Sequence, residues 1–368
     1  MTQARLNKLN ASLRTSDLDA VILNPGPTLK YLTGLGFHLM ERPVVLFFAK
    51  DREPAIVLPE LELQKVASLP YKLQVFSYPE NPSEWDAAFR KAVQALGLDG
   101  KRIGVEPRNL RLLEFGYVKD GAPEADFPDA SEVLAGLRLR KEKAEVEAMR
   151  KAVRIAQSAL EATLSLIRIG MTEKELSSEL VTQLLNHGSE PEMPFSPIVS
   201  GGPNSANPHA SPTGRKLQAG DLLVIDWGAT HDGYISDLTR TFEVGEVDEE
   251  YRKIHKIVQE ANAAGRAAAG PGVPCADVDR AAREVIEKSG YGKYFTHRTG
   301  HGIGMEGHEE PYMRGDNMQI LEPGMAFTVE PGIYLPGRNG VRIEDNVVIT
   351  ESGAESLSDM PREIRMVG

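Results

Sequence analysis

Short apolar runs separated by turn residues dominate the first third of the chain. Ala20–Leu23 leads into Asn24-Pro25-Gly26-Pro27, and Val44–Phe48, Ala55–Leu58 and Arg102–Val105 have the same form. Runs this short, closed by Pro, Gly or Asn, suit buried strands. Ser83–Leu96 lies among them with apolar residues at helical spacing, so the pattern predicts an α/β domain. Beyond Pro128-Asp129 the pattern changes. Lys141–Ile169 mixes charges with Val146, Met149, Val153, Ile155 and Leu160 at helical turns until Gly170 ends it. The junction falls near 131–140, giving an expected first domain of residues 1–131 and a second of 132–368.

The second domain carries an internal repeat. Leu217-Gln-Ala-Gly220 followed by Asp221–Gly228 matches Leu321-Glu-Pro-Gly324 followed by Met325–Gly332, an offset of 104 residues. Each copy reads L-x-x-G, an apolar stretch, a carboxylate (Asp226 or Glu330), one residue and Gly. Two helical segments precede each copy: 141–169 and a helix opened by the capping box Thr172-x-x-Glu175, then 250–269 and 276–289. A helix-helix-strand unit used twice predicts an α+β domain with pseudo-twofold symmetry, its two halves sharing a sheet beneath their helices.

The carboxylates of that sheet are the candidate chemistry. Leu222–Asp226 runs to His231-Asp232-Gly233 and returns as Tyr234–Phe242; Asp-Gly between β-like runs signals a hairpin. A turn centred near 231–233 would set Asp226 nearly opposite Asp237, with Cβ atoms about 4.5–5.5 Å apart, where like charges weaken the ladder unless a cation lies between them. Taken alone, such a pair is equally served by one Asp facing solvent. Glu330, however, holds the repeat position of Asp226, and Glu344 sits in 340–350, where Val341, Ile343, Val347 and Ile349 mark a strand. The segment Phe295–Pro311 adds His297, His301 and His308. Hard carboxylates with one imidazole suit Mn²⁺, Co²⁺, Fe²⁺ or Zn²⁺, and two ions about 3.5–4 Å apart would share them. Two motifs in this segment are decoys. Gly302-x-Gly304-x-x-Gly307 runs into His308 and Pro311 instead of opening a helix, and His308-Glu309-Glu310-Pro311 lacks the second His of a zinc helix. The glycines are better read as letting the backbone pass close to another strand or a ligand.

Composition narrows the function without naming it. The net charge of −11 over 368 residues disfavours nucleic acid and anionic membrane as partners. One cysteine, Cys275, leaves no internal disulfide and no multi-cysteine metal site. Residues 1–24 hold no signal-peptide core, and the apolar run 44–49 is far short of the ~20 residues that span a bilayer. A cytoplasmic location is expected.

With these residues in view, the sequence resembles the pita-bread metallopeptidases, the family of methionine aminopeptidase, aminopeptidase P and prolidase. Five positions match the family's metal ligands: Asp226 in Ile-Asp-Trp-Gly, Asp237 in Ser-Asp-Leu-Thr-Arg-Thr, His301 in Thr-Gly-His-Gly-Ile-Gly, Glu330 in Val-Glu-Pro-Gly-Ile-Tyr and Glu344 in Val-Arg-Ile-Glu-Asp. Tyr31-Leu-Thr-Gly34 and the α/β first domain resemble the creatinase-type amino-terminal domain of the prolidase and aminopeptidase P branch. The resemblance implies a homodimer that uses two divalent ions, Mn²⁺ or Co²⁺ before Zn²⁺ or Fe²⁺, to hydrolyse Xaa-Pro bonds in dipeptides or short peptides.

The same resemblance implies further roles. His209 would contact the scissile peptide from its nitrogen side, His308 would stabilise the oxyanion, and Glu330 would shuttle the proton to the leaving nitrogen. His297 is expected in the substrate pocket, with Arg342 and Tyr334 at its wall. His38 follows the Tyr-Leu-Thr-Gly motif and would reach a partner subunit's site. Many prolidases place an arginine directly after the His-Glu-x-Pro segment to grip the substrate carboxylate; here Tyr312 stands there and Arg314 follows two residues later, which leaves dipeptidase and aminopeptidase both open. A creatinase-like amidinohydrolase or a non-catalytic binding paralogue would share the fold, but neither is expected to keep all five ligands.

Overall fold

The apolar runs of the first third become strands buried on both faces. Ala20–Leu23, Val45–Ala49 and Ala55–Pro59 have every residue buried, which is why they read as continuous apolar stretches and not as alternating ones. With Gln74–Tyr78 and Ile103–Gly104 they form a mixed five-stranded sheet in the order 74–78, 55–59, 45–49, 20–23, 103–104. The helix Trp85–Leu96 buries Trp85, Ala88, Phe89, Ala92, Val93 and Leu96, a stripe at helical spacing, against that sheet.

The computed structural model describes residues 3–368. They divide into two compact units, one ending at Arg138 and the other spanning Leu139–Gly368. The helix Ser131–Arg138 belongs to the first, where the Tyr31 hydroxyl donates to the Leu137 carbonyl at 2.9 Å. No helix among the described residues is long and apolar enough to cross a membrane.

In the second unit the sequence repeat recurs as structure. Helices Lys143–Leu164 and Glu173–Asn186 precede the strand Leu222–Trp227; helices Glu249–Ala268 and Cys275–Lys288 precede Ala326–Val329. Each strand then forms an antiparallel hairpin, the first with Leu238–Val244 and the second with Asp345–Thr350. Alternation along each strand decides what faces the helices. Leu223, Ile225 and Trp227 pack with Met149, Val153, Ala156, Leu176 and Leu180, while Phe327 and Val329 pack with Cys275 and Val278. Asp226 and Glu330 therefore point to the other face, at equivalent places in the two halves.

Two local expectations require correction. The hairpin register pairs His231 with Tyr234 and Asp226 with Thr239, not with Asp237. The loop is a two-residue turn on Asp232 (φ 52°) and Gly233 (φ 74°), the pair of left-handed residues such a turn requires, and this shifts its centre toward the carboxyl side. Asp237 thus lies diagonally across from Asp226 on the same face, at a reach that suits a bridging ion better than a direct pair. The strand expected across 341–349 is two strands. Gly340–Arg342 pairs with Gly332–Tyr334, and Asp345–Thr350 with Ala326–Val329. Between them the chain crosses from one sheet to the other, and the Glu344 N–H bonds the Thr239 carbonyl at 3.0 Å. The shared sheet that the repeat predicts is two sheets, of four and five strands; that bridge joins them and sets Glu344 at their seam.

His255, on the helix 249–268, is 3% exposed. Burial first, and Arg240 second, hold its imidazole down to about 4. Because the folded value lies below the unfolded one of about 6.5, the stabilisation is complete above pH 6.5 and is lost as pH falls toward 4. Replacing His255 by Gln should remove about 2–3 kcal/mol of the stability that the wild type loses between pH 7 and pH 4.5. Denaturant titrations at the two pH values measure this; an equal loss in both proteins contradicts it.

Candidate functional site

The two half-sheets bring four carboxylates and one imidazole together. Asp237, His301 and Glu344 are all buried and offer ligand atoms within 4.8 Å of one another. His301 Nε2 lies 3.7 Å from Asp237 Oδ2 and 3.3 Å from Glu330 Oε1. Asp226 completes the set from the adjacent strand, with Oδ2 accepting from Arg342 Nη2 at 2.6 Å. His301 reaches this point because Gly300 and Gly302 flank it. A Cβ at Gly300 would meet the Thr328 carbonyl oxygen at 1.8 Å, and one at Gly302 would meet the Glu310 carbonyl oxygen at 2.2 Å. Gly302 serves close strand approach, as the sequence suggested, and Gly300 does the same, whereas Gly307 of the same motif has open space around it.

The charges do not balance without a cation. Burial first, then Glu344, Asp226 and Glu330, push the Asp237 carboxyl well above its usual range. Burial followed by Glu330 does the same to Glu344, and burial pushes Glu330 up to about 7 against the pull of Arg342. Burial, then His308, depresses His301, so its imidazole is neutral. Its Nδ1 bonds the Gly302 carbonyl at 3.1 Å and must carry the proton there, which turns the Nε2 lone pair toward two carboxylates. Asp226 Oδ1 and Glu344 Oε1 are buried acceptors with no hydrogen-bond partner. Lone pairs and anions facing one another in a dry site are repulsive; the donor set fits divalent cations.

The other residues singled out by sequence fall into two groups. His308, Tyr334, His297 and Arg342 lie around the carboxylates. The His308 ring is 4.0 Å from that of His301, centroid to centroid. Arg342 Nη1 donates to the Tyr334 hydroxyl at 3.0 Å, and Tyr334 bonds His297 Nε2 at 2.8 Å. His297 Nδ1 bonds the Arg298 carbonyl at 2.7 Å, and burial, then Arg342, hold this imidazole down to about 4. Both His297 nitrogens are thus engaged within the protein, and it bears on the pocket through Tyr334. His209 is exposed on the segment 202–213, anchored where Arg342 Nη1 reaches the Pro208 carbonyl at 3.2 Å. Arg314 and His38 form the second group. Arg314 is exposed and pairs with Asp316 at 2.5 Å in its own turn, and His38 is an exposed residue of the first unit.

Several supporting residues escaped the sequence reading. The Arg298 guanidinium lies 4.4 Å over the Tyr312 ring and 3.3 Å from His308 Nδ1. Its signal was a lone Arg between His297 and His301. Lys141 and Glu309 form a buried ion pair at 2.6 Å directly after His308. Asp279 accepts from the Thr299 N–H and hydroxyl at 3.0 and 2.7 Å, fixing the strand that carries His301. Beside Glu344, Asp345 is fully buried and bonded by Arg240, Arg362 and Ser358, and those arginines hold its carboxyl low despite burial. None of these had a sequence signal beyond a charge within an apolar strand or beside a motif.

Known proteins match the chain on both units. Residues 147–351 match metallopeptidase family M24, and residues 5–140 match the creatinase/prolidase N-terminal domain. An Xaa-Pro dipeptidase of Lactobacillus helveticus is 34% identical over 363 residues, 98% of each chain. Among solved structures, a dipeptidase from Pyrococcus horikoshii OT3 superposes with a TM-score of 0.93 at 38% identity, covering 99% of this chain and 100% of its own. A prolidase from Thermococcus sibiricus gives 0.94 at 34% identity with all of both chains covered. The chain belongs to metallopeptidase family M24, as a hydrolase with the prolidase fold and a creatinase-type N-terminal domain.

Proposed function

We propose that this protein is a dinuclear metal-dependent peptidase that cleaves the Xaa-Pro bond of dipeptides, with Asp226, Asp237, His301, Glu330 and Glu344 as its metal ligands. The observation that carries the reading is the neutral His301 turned toward the buried Asp237 and the partly buried Glu330 while Asp226 Oδ1 and Glu344 Oε1 lack any donor. Relatives named Xaa-Pro dipeptidase and prolidase support proline as the second residue. When bound, the cations supply Lewis acidity and a nucleophilic water at neutral pH. Around them, His308 and His209 donate hydrogen bonds to the carbonyl oxygen and to the nitrogen side of the scissile bond, and Glu330 passes a proton to the leaving nitrogen. That nitrogen is tertiary in the peptide and donates nothing, so selection of proline rests on the fit of its ring.

The choice of dipeptides rests on Arg298. Arg314, the alternative carboxylate clamp, is an exposed side chain paired with the likewise exposed Asp316 in its own turn. Arg298 instead stacks on Tyr312, which keeps its planar fork beside His308, and its charge is felt at Glu330. A guanidinium held there suits the free carboxylate that follows proline in a dipeptide. In Arg298→Met, KM for an Xaa-Pro dipeptide should rise about 10–100-fold, on the scale of one lost charge-assisted hydrogen bond, while hydrolysis of a matched Xaa-Pro-Xaa tripeptide changes little. Steady-state kinetics with added Mn²⁺ compares the two substrates. An equal loss on both refutes the carboxylate clamp, and a wild type that favours the tripeptide makes the protein an aminopeptidase instead.

A further inference from the structure

The segment carrying His209 is gathered onto a single buried carboxylate. Glu173 opens the helix Glu173–Asn186 and is completely buried. Its Oε1 accepts from the Gly201 N–H at 2.8 Å and from Asn204 Nδ2 at 3.0 Å. Its Oε2 accepts from the Thr213 N–H at 2.9 Å, the Thr213 hydroxyl at 2.6 Å and Asn204 Nδ2 at 3.1 Å. Gly201 and Thr213 are the two ends of the segment. Its middle is held separately, where the Gly340 N–H donates to Ser205 Oγ at 2.8 Å and Arg342 reaches Pro208. No basic side chain bonds Glu173 among the described residues, and the nearby Arg215 is committed to Asp221 through two bonds of 2.7 Å.

We propose that Glu173 is a positioning residue for catalysis: by clamping both ends of the 201–213 segment it fixes the point from which His209 meets the scissile bond. This rests on the role given to His209 above. Every group around Glu173 is a donor, so only an acceptor-only side chain satisfies all of them. Glutamine has the same shape but turns an NH₂ toward one set of donors, which loosens one end of the segment. The proposed metal ligands lie on other strands; Asp226 touches the segment through Arg342, which also bonds Pro208, and through the pairing of Ile198–Gly201 with its own strand, so bound metal is read alongside turnover.

The test is a double-mutant cycle on the Mn²⁺-loaded enzyme with an Xaa-Pro dipeptide, using Glu173→Gln, His209→Ala and the pair, with bound metal measured for each. Glu173→Gln should lower kcat about 10–100-fold, the cost of a catalytic group displaced by roughly 1 Å, with metal content unchanged. In the His209→Ala background it should lower kcat by less than about 2-fold, because the group it positions is gone. Thr213→Val, which deletes one donor, should show the same dependence on His209 with a smaller loss, and it carries the cycle alone where Glu173→Gln does not fold. The same fractional loss in both backgrounds, or loss of metal, overturns the proposal. An unchanged kcat in His209→Ala instead overturns the role of His209, and the clamp's catalytic meaning with it.

Discussion

Replacing Asp237 by Ala should remove metal binding and Xaa-Pro hydrolysis together, with turnover falling more than about 10³-fold, or about 4 kcal/mol of lost transition-state stabilisation. Asp237 is 7% exposed, lies on the seam of the two half-sheets, and belongs to the one three-residue ligand cluster found among the described residues. Its carboxylate repels Glu344, Asp226 and Glu330 in the metal-free state. The isosteric change Asp237→Asn should therefore abolish activity as fully as Asp237→Ala, yet leave the metal-free protein at least as stable as metal-free wild type, because one of four crowded anions is gone. Metal content by elemental analysis, turnover, and thermal midpoints after chelation read out all three. A variant that binds no metal but turns over normally is incompatible with a metallopeptidase, and a metal-free Asp237→Asn that unfolds far more easily is incompatible with a site built for cations.

The second large effect is expected at His308. His308→Ala should lower kcat about 10²–10³-fold, the usual cost of one oxyanion donor, while metal content stays the same. The two readouts separate a donor from a ligand. His308 lies against His301 and beside Arg298, and it is not one of the three residues whose ligand atoms cluster, Asp237, His301 and Glu344. Loss of metal in His308→Ala would reassign it as a group that holds His301 in place. A small effect on kcat with a large rise in KM would make it a ground-state binder.

Much of the architecture was legible because the sequence repeats itself. The 104-residue offset from Leu217 to Leu321 anticipated two helix pairs, each followed by a strand, and carboxylates at matching positions; the hairpin that each strand opens was signalled only in the first half, by Asp232-Gly233. The buried strands of the first unit were visible as uninterrupted apolar runs. What failed was register. A one-residue error in the centre of the turn put Asp226 opposite Asp237, when the ladder sets it opposite Thr239; centring a two-residue turn on Asp232-Gly233 itself gives the observed register. The 341–349 pattern looked like one strand because both of its halves are buried, although they belong to different sheets. Supporting groups were the least visible. Glu173, Asp279 and the Lys141–Glu309 pair act through contacts 20 or more residues away in the chain, and nothing at those positions distinguishes them from surface charges until the fold buries them; Arg298 stays half-buried and is marked only by its place between His297 and His301.

The most direct measurement is hydrolysis of an Xaa-Pro dipeptide by chelated, metal-free protein as Mn²⁺ or Co²⁺ is added in known equivalents, with a matched dipeptide lacking proline as control. The account predicts no turnover without metal, activity that rises until two ions are bound per chain, and a strong preference for the proline substrate. Turnover by the metal-free protein, or full metal loading without cleavage of either dipeptide, would contradict it.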